Sequence, residues 1–156
     1  MIIRSIIILF VMIFLHIVDD FYLQGVLANM KQKKWWESQI KLIAKERLGS
    51  KPRSYFKHLY QYDWAASLAI HGFSWSFMVN IPSLAVLLSN KSVANDVVVT
   101  YVVMVLGNAA LHAYIDDAKC NAFKLSLLED QILHLCQIIV MWVIFVVEVC
   151  YGRIQL

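Results

Sequence analysis

Four long apolar runs restrict what this chain can fold into. They lie at about residues 5–24, 64–89, 97–118 and 130–151 of the 156-residue sequence. A bilayer core is about 30 Å thick and needs roughly 20 helical residues to cross it, which is about the length of each run. Only 16% of the residues are charged, whereas about a quarter are charged in a soluble domain. The sequence therefore predicts an all-α fold: a single membrane domain, residues 1–156, built as a four-transmembrane-helix bundle.

The first run also has one feature of a signal peptide, because Arg4 precedes it. Signal peptides end in a cleavage site of small residues. No such site follows here, and the run continues into His16, Asp19 and Asp20. The sequence therefore favours an uncleaved first helix.

Residues 25–63, between the first and second runs, are basic. Nine of the 14 Lys and Arg residues lie in this segment. Within it, apolar residues recur at spacings of three and four, as on one face of a helix. They are Trp36, Ile40, Ile43, Ala44 and Leu48. Gly49 and Pro52 are expected to end this helix. The pattern is typical of a basic amphipathic helix at the membrane surface, and a solvated cytoplasmic helix is the alternative.

The distribution of positive charge predicts the orientation in a membrane, because cytoplasmic loops are enriched in Lys and Arg. With residues 25–63 in the cytoplasm, 11 of the 14 Lys and Arg residues lie on that side, Lys119 and Lys124 included. The residues left outside are Arg4, Lys91 and Arg153. Both termini are therefore expected to face away from the cytoplasm.

Ionisable residues inside the apolar runs gather near one end of each run. His16, His71, His112 and His134 lie about 6–12 Å below the same predicted surface, at a rise of 1.5 Å per residue. Three His–Asp pairs have a spacing of four, which places both side chains on one helix face. They are His16–Asp20, His112–Asp116 and Asp130–His134. Because a charge costs roughly 2.5–3.5 kcal/mol at the centre of a membrane helix, the set indicates a functional polar site.

Histidine and carboxylate side chains on facing helices are the means by which helical bundles hold metal ions. The predicted ligands are His16, Asp20, His71, His112, Asp116, Asp130 and His134. For His71 alone, a hydrogen-bonded packing role is the alternative. Imidazole with carboxylate suits Zn, Mn or Fe, so a divalent transition metal is the expected cofactor. The candidate catalytic residues are Asp20, Asp116, Lys119 and Gln131. Asp19 and Asp117 lie on another helix face and are expected to meet headgroups or water.

Three motifs resemble a known family. In chain order they are His16-x-x-x-Asp20-Phe21-x-x-Gln24, His112-x-x-x-Asp116-x-x-Lys119 and Asp130-Gln131-x-x-His134. They look like those of small bacterial and phage membrane proteins catalogued as domain of unknown function 3307, and the similarity covers essentially the whole chain. The resemblance implies a polytopic protein of the bacterial inner membrane, and it supplies no reaction. A looser similarity, in the His/Asp pairs, is to membrane-bound metal-dependent hydrolases.

Three functions stay open at this point. A metal-dependent hydrolase would act on a phosphate- or ester-containing substrate, with Lys119 and residues 29–57 binding an anionic lipid or nucleotide. An ion- or proton-translocating protein would also place His and Asp inside the membrane, although the outer halves of the runs are apolar. The third is a non-catalytic interaction protein with a structural metal site. The lipid bilayer is the expected partner, nucleic acid is not expected, and a homo-oligomer is left open.

Overall fold

The computed structural model of this protein describes residues 2–46, 51–90 and 93–154. Its elements, in chain order, are α1 (Ile2–Ile17), a π-helix (Val18–Leu23), α2 (Leu27–Met30), α3 (Lys33–Glu46), α4 (Arg53–Leu59), α5 (Asp63–Ser89), α6 (Asn95–Cys120) and α7 (Leu127–Cys150). The described residues contain no strand, and the predicted all-α fold is confirmed.

Four helical stretches are long and apolar enough to cross a membrane, as predicted. They are Ile2–Leu23, Arg53–Ser89, Asn95–Cys120 and Leu127–Cys150. The 24 residues of α7 correspond to about 36 Å of helix, which exceeds the thickness of a bilayer core. Large apolar side chains such as Phe10, Val103 and Val140 are exposed on the outside of the bundle. A bilayer would cover such a surface.

The basic segment folds into α2, α3 and α4. The predicted amphipathic helix corresponds to α3, which contacts α4 and α5. Ile40, on its apolar face, is only 6% exposed. Of the residues used to predict this helix and the charge distribution, Arg47, Leu48, Gly49 and Lys91 lie outside the described residues. The placement of α3 on a membrane surface stays a prediction.

The first span ends in a π-helix, and this irregularity determines where two aspartates point. A π-helix has i→i+5 hydrogen bonds, so consecutive side chains are rotated less around its axis than in an α-helix. Asp19 and Asp20 therefore both face the interior, with only 3% and 6% of their side chains exposed. Single π-helical turns occur frequently at functional sites.

Small residues allow α5 and α6 to pack closely. A Cβ atom at Gly72 would lie 2.6 Å from the carbonyl oxygen of Ala109 and 3.2 Å from the Cβ of Ala113. Close approach at small residues is common between membrane helices. Gly72 follows His71 and Ala113 follows His112, so the same contact brings these two histidines together.

One helical turn outward from the buried histidines, large apolar side chains occupy the interior beside the buried polar residues Asn108 and Gln137. Met12, Trp75, Val79 and Ile138 come from three different helices, and all have zero exposure. They belong to the main hydrophobic core of the bundle. This layer lies between the predicted polar site and the outer half of the molecule, and hydrogen bonds from Gln137 to Asn108 and from Asn108 to Ser76 cross it.

The start of α7 is fixed by a capping box. The Oγ of Ser126 accepts a hydrogen bond from the Glu129 backbone nitrogen, and the Glu129 carboxylate accepts one from the Ser126 backbone nitrogen at 2.8 Å. Such a cap stabilises the first helical turn. Asp130 lies in this turn, where the positive end of the helix dipole favours a carboxylate. The cap therefore sets the position of one of the predicted ligands.

Candidate metal centre

Six side chains from four helical elements converge on the side of the apolar layer that faces the basic segment. They are Asp20 of the π-helix, His71 of α5, His112 and Asp116 of α6, and Asp130 and His134 of α7. This set is termed the His/Asp cluster. Each histidine is at most 2% exposed. The structure thus brings together six of the seven predicted ligands, and His16 lies beside them.

The first group of donor atoms comes from Asp20, His71 and His112. The Nε2 atoms of His71 and His112 are 3.2 Å apart, and His71 Nε2 lies 3.5 Å from Asp20 Oδ1. In a tetrahedral site with bonds of about 2.0–2.1 Å, neighbouring donor atoms are about 3.3–3.4 Å apart. The observed separations match the edges of one coordination sphere.

Two further groups share residues with the first. One contains His112, Asp116 and His134, and the other contains Asp20, Asp130 and His134; within each group the donor atoms lie within 4.8 Å of one another. His134 Nε2 is 3.5 Å from Asp116 Oδ1 and 3.3 Å from Asp130 Oδ1. The protein therefore contains buried His/Asp groups that could hold a metal ion.

Hydrogen bonds behind His134 direct its Nε2 atom into the cluster. The Gln137 amide nitrogen donates to Asn108 Oδ1 at 2.8 Å. The Oε1 atom of Gln137 is then left to accept from His134 Nδ1, 3.1 Å away, which places the ring proton on Nδ1 and the lone pair on Nε2. In the described part of the chain, neither His134 Nε2 nor Asp130 Oδ1 makes a hydrogen bond. A cation would satisfy both of these buried atoms.

His71 is backed by Asp19, the carboxylate that helical spacing predicted to meet headgroups or water. Ser74 donates a hydrogen bond of 3.0 Å to Asp19 Oδ1, and Asp19 Oδ2 lies 3.8 Å from His71 Nδ1. That prediction is wrong, because the π-helix turns Asp19 inward. A carboxylate behind a metal-ligating histidine orients the ring, so the arrangement suits His71 as a ligand.

Ring packing holds His112 in place. It stacks on Trp75 with ring centroids 4.1 Å apart and on His134 at the same centroid distance. Trp75 was not among the predicted site residues, because an aromatic residue in an apolar helix carries no signal of such a role. The stack fixes the direction in which His112 presents its Nε2 atom to the cluster.

His16 belongs to none of the three groups, and its hydrogen bonds explain why. The indole nitrogen of Trp75, which can only donate, lies 2.8 Å from His16 Nδ1. In the neutral ring the proton is therefore on Nε2, which donates to Gln131 Oε1 at 3.1 Å. The Gln131 amide nitrogen in turn donates to Asp20 Oδ2 at 2.9 Å and Asp130 Oδ2 at 3.0 Å. His16 thus acts through Gln131 to orient two carboxylates.

Two lysines pair with the carboxylates of the cluster. Lys31 Nζ lies 2.5 Å from Asp116 Oδ2, and Lys119 Nζ lies 2.5 Å from Asp130 Oδ2. Lys119 was a predicted site residue and Lys31 was not, because nothing in the sequence separates Lys31 from the other basic residues of its segment. Asn121 donates to the Lys31 carbonyl at 3.0 Å and so fixes the backbone that carries it.

Charge at the site is unbalanced. Four carboxylates are buried here with only two lysines: Asp19, Asp20, Asp116 and Asp130 against Lys31 and Lys119. When all six groups are ionised, the excess is two negative charges. Buried charge without a partner is strongly unfavourable. One divalent cation would balance this excess.

A cavity of about 210 Å³ gives access to the cluster from the side of the basic segment. Its wall includes Asp20, Gln24, Lys31, Asp116 and Lys119. Gln24, the last residue of the first motif, donates a hydrogen bond to Asp20 Oδ1, and its amide nitrogen lies 3.2 Å from His71 Nε2. Carboxylates of the cluster and both lysines are therefore accessible from one opening.

Asp117 lies apart from the cluster. Its side chain is 35% exposed, and its Oδ1 lies 3.9 Å from Lys33 Nζ, in agreement with the expected polar surroundings.

No family model, no curated protein and no solved structure matches this chain. The family resemblance of the three motifs therefore stays a prediction, and the function has to be argued from the site.

Proposed function

We propose that this protein is a metal-dependent hydrolase of the bacterial inner membrane that acts on a phosphate- or ester-containing substrate at the cytoplasmic side. The observation that carries this proposal is the cavity, whose wall contains two carboxylates of the cluster, Asp20 and Asp116, together with Lys31 and Lys119. A metal ion with only a structural role needs no such opening, whereas a catalytic ion needs a position accessible to water and substrate.

The donor set fits a transition metal, because imidazole and carboxylate together suit Zn, Mn or Fe. When bound, such an ion lowers the pKa of a coordinated water and supplies a nucleophile at neutral pH. The hydrogen bond between His134 Nδ1 and Gln137 Oε1 supports ligation of His134 through Nε2, since outer hydrogen bonds of this kind fix the coordinating tautomer. Asp19 Oδ2 lies 3.8 Å from His71 Nδ1, on the matching side of that ring.

The chain's own residues have distinct roles in this proposal. Lys31 and Lys119 bind the anionic group of the substrate through their ammonium groups, which are donors only. Asp20 lines the cavity and, in this proposal, accepts a proton from the attacking water. Gln131 is a positioning residue, because it holds the carboxylates of Asp20 and Asp130 through one amide nitrogen.

Ion translocation is less well supported by the packing. A conducting path needs polar residues or water across the whole bilayer. One turn outward from the cluster, Met12, Trp75 and Ile138 are fully buried, and the polar side chains at that level, Asn108 and Gln137, are hydrogen-bonded to each other. The orientation rests on the positive-inside rule: the segment that carries nine of the 14 basic residues borders the cavity and would face the cytoplasm.

The test uses the full chain purified in mild detergent, stripped with a chelator and reloaded with Zn, Mn or Fe. We expect stoichiometric metal and metal-dependent hydrolysis of either p-nitrophenyl phosphate or p-nitrophenyl acetate by the wild type. His112→Ala and His134→Ala should lose both properties. His58→Ala is the matched control, because His58 is an exposed histidine of α4. Metal-loaded wild type that cleaves neither ester would contradict the proposal.

A further inference from the structure

The two carboxylate oxygens of Asp116 face different histidines. Its Oδ2 lies 3.4 Å from His71 Nε2 and 3.9 Å from His112 Nε2. Its Oδ1 lies 3.5 Å from His134 Nε2. Asp116 is 2% exposed, so both oxygens are fixed inside the bundle between two sets of donor atoms.

We infer that the His/Asp cluster holds two metal ions bridged by the carboxylate of Asp116, an inference that rests on the metal centre proposed above and defines its composition. The first ion takes Nε2 of His71, Nε2 of His112, Oδ1 of Asp20 and Oδ2 of Asp116. The second takes Nε2 of His134, Oδ1 of Asp130 and Oδ1 of Asp116.

The spread of the donor atoms argues for two ions. The six side chains fall into three overlapping groups of three. One ion with bonds of about 2.1 Å holds its donor atoms within about 4.2 Å of one another. None of the three groups contains all six side chains, although the donor atoms of a group can lie up to 4.8 Å apart. One ion therefore does not reach all six. In two-metal hydrolytic sites the ions lie about 3.5–4 Å apart. A carboxylate whose two oxygens each reach one ion spans such a separation.

The other carboxylates are not placed to bridge in this way. Asp130 directs Oδ1 to His134 and Oδ2 to Lys119. Asp20 also shares a donor group with each set of histidines, but its Oδ1 lies 3.5 Å from His71 Nε2, while its Oδ2 accepts a hydrogen bond from Gln131. Within residues 2–46, 51–90 and 93–154, Asp116 is the carboxylate with a cluster histidine facing each oxygen. We therefore assign the bridging role to Asp116.

Lys31 links the metal pair to the substrate. Its ammonium group now lies 2.5 Å from Asp116 Oδ2, the oxygen that the first ion would take. Lys31 also lines the cavity, so displacement by the ion moves its charge toward the opening. Two divalent ions change the excess of two negative charges at the site to an excess of two positive charges. A doubly negative phosphate ester in the cavity would balance that charge.

The test counts ions in the wild-type chain. The metal-free protein in detergent is titrated with Mn²⁺, desalted and analysed for bound metal by elemental mass spectrometry, and its electron paramagnetic resonance spectrum is recorded. We expect two Mn²⁺ per chain and the spectrum of a magnetically coupled pair. Asp116→Asn should abolish the coupling, and His134→Ala should leave one uncoupled ion. Asp96→Asn, at an exposed carboxylate near the opposite end of α6, should retain the coupled pair.

The outcomes separate this inference from the proposal on which it rests. One Mn²⁺ per wild-type chain, with an uncoupled spectrum, would overturn the pair and leave a mononuclear metal centre. No bound Mn²⁺, together with no bound Zn²⁺ or Fe²⁺, would overturn both. Two uncoupled ions would overturn the bridge by Asp116. Because the ion count and the coupling are measured on the wild type, poor folding of a variant does not affect these conclusions.

Discussion

Two buried polar regions lie one above the other in this bundle, and they differ in how completely their hydrogen bonds are satisfied. The outer network consists of Ser76, Asn80, Ser83 and Tyr101. Tyr101 donates to the Asn80 carbonyl at 2.8 Å, and Asn80 donates to the Ser76 carbonyl at 2.7 Å. In the described residues, all side-chain polar atoms of this network that are fully buried have a partner.

The His/Asp cluster contrasts with that network. His134 Nε2, Asp130 Oδ1 and His112 Nδ1 are buried and make no hydrogen bond within the described ranges. Buried polar groups are normally satisfied, so a local concentration of unsatisfied atoms calls for a ligand. The comparison teaches that buried polarity alone does not identify a site in this protein. The local concentration of unsatisfied buried atoms identifies it.

The largest loss of stability is expected where removal of one side chain leaves a buried charge without its partner. Asp116→Ala leaves Lys31, which is 9% exposed, without its carboxylate. Breaking a buried ion pair from one side costs about 3–5 kcal/mol, and we expect that loss in the unfolding free energy of the metal-free protein, measured by denaturant titration in mixed micelles. Adding Lys31→Met should restore most of the stability but no metal binding. A fully stable Asp116→Ala single variant would contradict the pairing.

The second prediction separates the two helices that carry His71 and His112. Gly72→Ala introduces a Cβ atom 2.6 Å from the Ala109 carbonyl oxygen, so α5 and α6 must move apart. Overpacking of this kind costs about 1–3 kcal/mol, and metal affinity should fall with it. Gly107→Ala is the matched control on α6, because its Cβ would meet nothing within 4 Å. Equal behaviour of the two variants would show that the close contact does not position the histidines.

The third prediction concerns the hydrogen bond behind His134. Gln137→Leu removes the acceptor that holds the proton on His134 Nδ1. Loss of such an outer hydrogen bond lowers metal affinity by about 10–100-fold, which competition with a chelating dye would measure. The control is Gln61→Leu, at an exposed glutamine between α4 and α5. Lower stability with unchanged metal affinity would mean that Gln137 has only a packing role.

The smallest effect is expected in the outer network. Tyr101→Phe removes the hydroxyl that bonds to Asn80 and Ser83. The expected loss of unfolding free energy is about 0.5–1.5 kcal/mol, and metal affinity should not change. A change in metal affinity comparable with that of Gln137→Leu would break the distinction between the two polar regions.

Local patterns in the sequence are enough to predict the helices and much of the cluster. The four apolar runs match the four helices long enough to cross a membrane, because span length is set by bilayer thickness. The spacing of four residues in His112–Asp116 and Asp130–His134 predicts shared helix faces, and the structure places both pairs in the cluster. These features depend on residues close together in the chain, so a periodic pattern reveals them.

The sequence by itself therefore determined which helices form and which of their faces carry histidine and aspartate. Only the tertiary structure decided which side chains these histidines and aspartates contact. Lys31 pairs with Asp116, 85 positions away in the sequence. Trp75 donates a hydrogen bond to His16, 59 positions away, and so keeps His16 from acting as a ligand. The inward turn of Asp19 follows from a π-helix that an α-helical spacing rule does not foresee. Helical periodicity encodes only contacts one turn apart, whereas packing between helices determines which donor atoms meet and which remain free for a ligand.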